Sequence, residues 1–296
     1  MTALLDVSDL SVHFPVMEQG IFRRQVSEMT AVNKVSFSLP QGGNLGIVGE
    51  SGSGKTTLVR AILRALDPSE GAAIFQSQHG AVDLCQLNQD QLKPLRKEMQ
   101  MIFQDPFASL NPRMKVGEIV AEPLVIHEPE SADSHRERVI DMLERVGLDR
   151  DAVSRFPHAF SGGQRQRIGI ARALILNPAL VVCDEAVSAL DVSVQAQVLN
   201  LLKDLQQDMN LTYLFVAHDL NVVRYFCDET LVMYRGSVVE SGPVDMLFEH
   251  PVHDYTKLLL SAIPSIDPDQ KLTPLDRSTL GLDETKPATV VARQAR

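Results

Sequence analysis

Residues 49–56 read Gly49-Glu50-Ser51-Gly52-Ser53-Gly54-Lys55-Thr56, and they match the pattern of a phosphate-binding loop at every position that the pattern fixes. The loop follows an apolar run, Leu45–Val48, and it precedes a helical pattern over residues 57–63. A strand before the loop and a helix after it are the context that the motif requires. The sequence therefore predicts a P-loop nucleotide-binding site in an α/β fold.

Each residue type in this loop has a chemical reason. Glycines allow successive backbone N–H groups to curl around phosphate oxygens, Lys55 reaches the terminal phosphates as a positive charge, and the Thr56 hydroxyl can bind Mg²⁺. We expect residues 49–56 and Thr57 to contact the nucleotide. A surface turn rich in glycine and serine is the alternative, but the lysine, the threonine and the flanking elements favour the phosphate site.

Polar residues also follow two other apolar runs. Leu180–Cys183 leads to Asp184 and Glu185, and residues 211–217 lead to His218. Ligands of parallel α/β sheets bind beyond the carboxyl ends of the strands, so we expect these ends and the phosphate-binding loop to meet at one site. Asp184 would hold Mg²⁺, directly or through water, and Glu185 would polarise the attacking water. A lone histidine after a strand is more commonly a cap or a packed residue, but the neighbouring strand ends favour a role for His218.

The segment Ser161-Gly162-Gly163-Gln164 has two interpretations. Ser161 and Gln164 have the spacing of a capping box at the start of a helical pattern. A cap does not explain two glycines in a first turn, because each weakens a helix by about 1 kcal/mol relative to alanine. Such positions at a helix N-terminus also let an anion approach backbone N–H groups. Since the P-loop already serves this chain's own nucleotide, we predict that the segment acts on a neighbouring subunit's nucleotide and keeps the cap as its local geometry.

These residues identify the chain, by resemblance, as an ATP-binding subunit of an ABC transporter of the oligopeptide/dipeptide importer group. Ser161–Gln164 resembles the signature motif of that family. Residues 101–106 resemble the Q-loop, and the resemblance implies that Gln104 senses Mg²⁺ and water and can serve as a metal ligand. His218 resembles the switch histidine.

Two further positions complete the predicted site. Residues 188–191 resemble the D-loop, and Asp191 is therefore expected beside the nucleotide and the opposite subunit. Phe14 resembles the aromatic residue that stacks on adenine. A packed strand residue is the alternative for Phe14, because an unusual insert separates it from the P-loop.

Longer strings support the subgroup. Residues 103–112, 191–197 and 236–264 are similar to peptide-importer ATPases. The insert at residues 20–24 is similar to the second, F-type ATPase of such systems.

The resemblance implies a mechanism. Two ATPase subunits face each other head to tail, so ATP lies between Lys55 of one subunit and Ser161 and Gly163 of the partner subunit. Glu185 acts as general base or orients the water, and His218 holds the γ-phosphate and the water in line. Hydrolysis of Mg-ATP then powers import of oligopeptides, dipeptides or related solutes.

Partners and location follow from the same resemblance. They are a second ATPase (a D-type relative or a copy of this chain), two transmembrane permease subunits and, indirectly, an extracytoplasmic solute-binding protein. The expected location is peripheral, on the cytoplasmic face of the bacterial inner membrane. The transported solute is not encoded in this chain, because selectivity belongs to the other components.

The sequence departs from the family in a few places. Phe160 stands where leucine is common before the signature serine, and Ala186 stands where proline commonly follows the catalytic glutamate. Asp254 replaces a proline that is frequent in this subgroup, which puts the local conformation in question. Many relatives also carry a cysteine cluster near the C-terminus that resembles an iron–sulfur site. Only Cys85, Cys183 and Cys227 are present here, so we predict no such cluster and expect small buried thiols.

Composition agrees with a peripheral subunit. The net charge of −10 argues against a broad basic surface for nucleic acid or anionic lipid. No apolar run approaches the ~18 residues of a spanning helix, and residues 1–6 have no signal-peptide pattern. We therefore expect that the chain does not cross the membrane by itself.

The predicted fold class is α/β: a P-loop NTPase core with a mainly parallel sheet, an antiparallel β layer, an inserted helical subdomain and a C-terminal extension. The layer is predicted from alternation over residues 4–12 and 32–39, and a hairpin from residues 230–241. The domain boundaries are 1–265 for the ATPase, including 106–156 with the signature helix as the helical subdomain and 236–265 as the peptide-importer segment, and 266–296 for a poorly ordered tail or an arm that orders on a partner.

Two other classes of protein stay open. An ABC ATPase of DNA maintenance would need a long heptad coiled coil between the two halves of the ATP site, and no such heptads occur. A regulatory subunit that binds ATP without hydrolysing it would be expected to lose a catalytic group, whereas Lys55, Ser161, Glu185 and His218 are all present.

Overall fold

The computed structural model describes residues 3–17, 25–105, 108–128, 132–263 and 291–292. Its strands are β1 (Ala3–Met17), β2 (Gln25–Pro40), β3 (Asn44–Val48), β4 (Glu70–Ser77), β5 (Gly80–Asp83), β6 (Met99–Ile102), β7 (Leu180–Asp184), β8 (Thr212–Ala217), β9 (Glu229–Tyr234), β10 (Ser237–Pro243) and β11 (Val291–Ala292). Its helices are α1 (Lys55–Ile62), α2 (Gln89–Leu95), α3 (Val116–His127), α4 (Ala132–Arg145), α5 (Gly162–Leu174), α6 (Val192–Met209), α7 (Leu220–Phe226), α8 (Val244–Glu249) and α9 (Asp254–Ser261).

Some predictions fall outside these ranges. The insert at residues 20–24 lies outside the described residues, and so does the predicted tail apart from β11. Backbone contacts divide the chain into two compact units. The first unit contains residues 1–40, 44–86 and 215–296, and the second contains residues 41–43 and 87–214.

The first unit contains an antiparallel layer with the strand order β2-β1-β4-β5. The predicted pairing of its first two strands is confirmed, with Val7 opposite Phe37. In the same unit β3 pairs in parallel with β9, and β9 pairs antiparallel with β10 in the predicted hairpin. Every residue of β3 is buried, as expected for a short apolar strand inside an α/β fold.

The second unit combines the parallel pair β6–β7 with helices. Helices α3, α4 and α5 pack on one another, which gives the predicted helical region between the Q-loop and the signature segment its core. Leu143, Val146 and Ile168 are fully buried there. The parallel strand pairs, the antiparallel layer and the helices together place the chain in the predicted α/β class.

The segment around Asp254 is helical. Asp254 is the first residue of α9, His253 is its N-cap, and the Lys257 ammonium lies 2.8 Å from the Asp254 carboxylate. Proline and aspartate both suit the first position of a helix, proline because its φ is already helical and aspartate because of the helix dipole. The replacement of the common proline therefore keeps the helix start.

The three cysteines are free thiols. Cys183 and Cys227 are buried as expected, whereas Cys85 is only half-buried. Burial raises the pKa of the Cys85 thiol to about 11, and burial also raises the pKa of Cys183. Both thiols therefore stay protonated and unreactive near neutral pH.

Candidate active site

The phosphate-binding loop joins β3 to α1. Lys55 is almost fully buried, and its Nζ donates to the carbonyl oxygens of Gly49 at 2.7 Å and of Glu50 at 2.9 Å. Gly54 is the N-cap of α1 with φ 102°, and a Cβ there would lie 2.3 Å from the carbonyl oxygen of Ala31, so only glycine fits. The loop therefore curls around its own lysine.

Ser53 gives a test of whether an anion suits this loop. Its side chain is buried, and Oγ has no hydrogen-bond partner in the part of the chain that the structure describes. A buried hydroxyl without a partner costs about 1–3 kcal/mol. A phosphate oxygen is an acceptor that could pair with it, so the loop fits an anionic ligand.

Gln104 and Glu185 come together in the second unit. Gln104 Nε2 donates to Glu185 Oε2 at 2.9 Å, although 81 positions separate them in the chain. Glu185 directly follows β7 and has φ 51°, a left-handed conformation that non-glycine residues adopt rarely. The amide and the hydroxyl of Ser188 both donate to its carbonyl oxygen, at 3.1 and 2.9 Å. The glutamate is therefore held at both its backbone and its side chain.

Asp184 is the last residue of β7, and it is buried. A buried carboxylate is stable only where positive charge or hydrogen bonds compensate for the loss of water. Within the described ranges, no group of three or more His, Cys, Asp or Glu side chains could hold a metal ion.

The signature segment has the predicted cap. Ser161 is the N-cap of α5, its amide donates to Gln164 Oε1 at 3.0 Å, and the Gln164 amide donates to Ser161 Oγ at 3.4 Å. This reciprocal pair confirms the capping box. The anion-binding role of the segment stays a prediction.

The two glycines of this segment differ in their surroundings. A Cβ on Gly163 would lie 2.4 Å from Val194 Cγ1, in the first turn of α6. A Cβ on Gly162 would meet nothing closer than Leu190 Cδ2 at 3.9 Å. Packing within the chain therefore requires glycine at 163 but not at 162.

Asp191 caps the next helix. Its carboxylate accepts hydrogen bonds from the Val194 amide at 3.0 Å and from the Ser193 hydroxyl at 2.8 Å, at the N-cap of α6. These donors, the Val194 amide foremost, lower the pKa of the Asp191 carboxyl. Capping is the role that the structure gives this residue.

His218 and Phe14 lie in the first unit. His218 follows the buried strand β8 and is itself exposed. Phe14 is a half-buried residue of β1, and it pairs across the antiparallel layer with Met29 of β2, which is 55% exposed. A half-buried ring beside an exposed side chain is compatible with stacking on a ligand.

One contact to the phosphate-binding loop was not among the sequence predictions. The amide of Glu50 donates to the hydroxyl of Tyr255 at 3.0 Å. Tyr255 belongs to the C-terminal helix α9, 205 positions away. No local pattern signals such a contact, because the sequence around Tyr255 specifies only an amphipathic helix.

An α/β fold with a P-loop between β3 and α1 defines the class: this is a P-loop nucleotide-binding protein. Residues 32–188 match the family model "ABC transporter", and residues 239–287 match "Oligopeptide/dipeptide transporter, C-terminal region". The first match spans more than half of the chain. The chain belongs to the ATP-binding proteins of the ABC transporter family, and it is a nucleotide-binding ATPase subunit.

Individual relatives agree. The chain is 50% identical to the oligopeptide transport ATP-binding protein AppF of Bacillus subtilis, over 88% of this chain and 78% of the relative. It is 50% identical to the oligopeptide transport ATP-binding protein OppF of Salmonella typhimurium, over 90% and 79%. It is 48% identical to the di/tripeptide transport ATP-binding protein DppF of Pseudomonas aeruginosa, over 91% and 81%.

Solved structures confirm the fold class. The dimeric post-hydrolysis state of the ATP-binding cassette MJ0796, bound to ADP and Pi, is similar with a TM-score of 0.70 and 27% identity. It covers 81% of this chain and 98% of that chain. CbiO1 from Clostridium perfringens, part of the ABC transporter complex cbiONQ, has a TM-score of 0.71 at 24% identity over 84% and 92%.

No helix within the described residues is both long enough and apolar enough to cross a membrane.

Proposed function

We propose that this chain hydrolyses Mg-ATP to power the import of oligopeptides, dipeptides or related solutes through a membrane permease. The match of residues 239–287 to the C-terminal region of oligopeptide/dipeptide transporters carries the choice of substrate class. The names of the relatives AppF, OppF and DppF support it. Selection among peptides belongs to other subunits.

The P-loop binds the phosphates in this proposal. Lys55 exchanges its contacts with the Gly49 and Glu50 carbonyls for the terminal phosphates, and Ser53 Oγ gains an acceptor. Burial strengthens each of these interactions, because a charge in a dry site is screened less than in water. Residues 51, 52, 56 and 57 complete the cradle, and Phe14 stacks on the adenine.

Glu185 is the proposed general base or water-orienting group. The hydrogen bond from Gln104 Nε2 to its carboxylate supports this role, because a neighbouring amide then fixes the direction of the carboxylate. His218 would hold the γ-phosphate and the water in line. Phosphoryl transfer depends on positioning and charge neutralisation more than on covalent chemistry, so no nucleophilic side chain is required.

Mg²⁺ is the proposed cofactor. Thr56, Gln104 and Asp184 offer a hydroxyl, an amide oxygen and a carboxylate, and these hard oxygen donors are the type that Mg²⁺ takes together with water and phosphate oxygens. When bound, the ion would neutralise charge on the phosphates.

The partners are proposed from the signature segment. A Cβ on Gly162 would meet only Leu190 Cδ2, at 3.9 Å, so packing within the chain leaves room for an anion to approach its backbone. Ser161, Gly162, Gly163 and Gln164 would bind the ATP of a second ATPase, a D-type relative in our proposal, with Asp191 beside it. Two permease subunits and a solute-binding protein complete the system, with this chain on the cytoplasmic face of the inner membrane.

The test is peptide uptake in cells that lack this chain. Wild type should restore uptake, and Glu185→Gln should not, although the purified variant should still bind ATP. Loss of a general base typically costs about 10²–10⁴ in rate. Near-normal hydrolysis by Glu185→Gln would overturn the role assigned to Glu185.

Restoration of ATP turnover without restoration of peptide uptake would overturn the proposed substrate class. The matched control is Glu229→Gln, which changes the same group at an exposed position and should behave as wild type.

A further inference from the structure

The C-terminal helix α9 contacts the phosphate-binding loop through one side chain. The Glu50 amide donates to the Tyr255 hydroxyl at 3.0 Å. That amide and the Gly49 carbonyl belong to the same peptide unit, and the carbonyl accepts from Lys55 Nζ at 2.7 Å. In a trans peptide the N–H and the C=O point in opposite directions. Tyr255 and Lys55 therefore hold the Gly49–Glu50 peptide from its two sides.

Tyr255 is itself fixed in place. The residue has no exposed surface, and its ring packs on the ring of Tyr234 with centroids 4.2 Å apart. Its backbone amide donates to His253 Nδ1 at 3.1 Å, which caps α9. Packing and the backbone already fix the ring of Tyr255. Its hydroxyl therefore loses little further conformational entropy when it forms the hydrogen bond to the loop.

The turn before α9 is held by a second buried group. Glu240 of β10 has no exposed surface, and its carboxylate accepts from the amides of Val252 at 3.0 Å and His253 at 2.9 Å. Burial lowers the pKa of His253, and the nearby carboxylates of Glu240 and Asp254 oppose this shift. A neutral imidazole can keep Nδ1 as an acceptor, which is the state that the cap needs.

We infer that Tyr255 is a positioning residue for nucleotide binding, which acts by fixing the Gly49–Glu50 peptide of the phosphate-binding loop. The inference rests on the proposed function, because it assumes that this loop binds ATP. Tyr255 lies within residues 239–287, which match the oligopeptide/dipeptide transporter C-terminal region. The inference therefore gives this region a role at the site where the chain binds the phosphates of its own nucleotide. A loop that is fixed beforehand binds ATP without the cost of ordering.

The experiment is Tyr255→Phe in the full-length chain, which removes the hydroxyl and keeps the ring. Tyr234→Phe is the matched control, because it removes the other hydroxyl of the same ring pair. Loss of the hydrogen bond to the part-buried Glu50 amide predicts an ATP Kd that is higher by about tenfold for Tyr255→Phe, measured by calorimetric titration. The KM for ATP should rise by a similar factor while kcat at saturating ATP stays near wild type, because the lost interaction serves binding in both ground and transition states.

Four results would separate the inference from its alternatives. A raised Kd and KM for Tyr255→Phe, with wild-type values for Tyr234→Phe, would support the inference. A lower thermal midpoint for Tyr255→Phe with an unchanged Kd would overturn it in favour of a purely structural role. Equal rises in Kd for both variants would also overturn it, because the ring pair and not the hydroxyl would then matter. Failure of the wild-type chain to bind ATP would instead overturn the proposed function on which the inference rests.

Discussion

Glu185 combines an uncommon backbone conformation with a fixed side chain. A left-handed conformation costs a non-glycine residue about 1–2 kcal/mol, and its φ is 51°. The two hydrogen bonds from Ser188 to its carbonyl oxygen help to stabilise this conformation. Strain of this kind concentrates at functional sites, and the same residue accepts the side-chain hydrogen bond from Gln104.

The contact between Gln104 and Glu185 gives a prediction about pH. Gln104→Glu would place two carboxylates within hydrogen-bond distance, and two such carboxylates share a proton more readily than a single carboxylate takes one up. While the pair holds that proton, it cannot accept a proton from water. The variant should therefore hydrolyse ATP slowly at neutral pH and gain activity as the pH rises, so the acidic limb of its pH–rate profile should move to higher pH.

The control for this prediction is Gln207→Glu. It makes the same change in charge at an exposed position of α6, and its pH–rate profile should match that of wild type. An acidic limb that stays in place for Gln104→Glu would contradict the proposed base role of Glu185.

At the residue scale, contacts between residues that are close in sequence could be predicted, and contacts between distant residues could not. The capping box of Ser161 and Gln164 was predictable because its two partners lie three positions apart. The bond between Gln104 and Glu185 spans 81 positions, and no local pattern contains it. Family resemblance supplied the roles of both residues, but it did not supply this bond.

At the scale of elements, apolar runs predicted the buried strands well. The run before the phosphate-binding loop became β3, and the run before Asp184 became β7. Within the helical subdomain predicted at residues 106–156, the structure has helix α4 at Ala132–Arg145. Helix α3 was not predicted as a separate element, because Pro123 lies inside it and proline normally argues against a helix interior.

The signature helix α5 gives a prediction that separates packing from ligand approach. Gly163→Ala should destabilise the chain, because its Cβ would meet Val194 Cγ1 at 2.4 Å. Such overpacking typically costs about 1–3 kcal/mol. Gly162→Ala should leave the thermal midpoint unchanged or slightly higher, since alanine favours helix, and yet ATP hydrolysis with the second ATPase should fall. Thermal unfolding and steady-state hydrolysis measure the two effects.

Val194→Ala provides the control for this pair. Combined with Gly163→Ala, it should recover part of the lost stability, because the smaller side chain removes the contact. Normal hydrolysis by Gly162→Ala would contradict the proposal that an anion approaches this turn. A fall in its thermal midpoint would show instead that residue 162 is constrained by packing.

At the scale of the whole molecule, a single chain shows only part of the proposed site. The signature segment starts α5, and the phosphate-binding loop precedes α1. The family resemblance predicts a second ATPase, because the phosphate-binding loop and the signature segment are the two halves of the proposed shared site. The F-type resemblance favours a D-type relative as that partner, but the residues of the partner's surface were not predictable, since nothing in this sequence records them.

The shared site predicts an ATP-dependent pair. Glu185→Gln, mixed with the second ATPase of the same import system and Mg-ATP, should have the mass of two subunits in light scattering after size exclusion. Adding Lys55→Ala should weaken the pair, because this chain's own ATP is lost. Adding Ser161→Arg instead should also weaken the pair, because the bulky cation obstructs the site for the partner's ATP. This variant alone should still bind ATP at its own P-loop.

Undisturbed pairing by the Ser161→Arg variant would contradict the head-to-tail arrangement. A mass of two copies without the second ATPase would identify the partner as this chain itself.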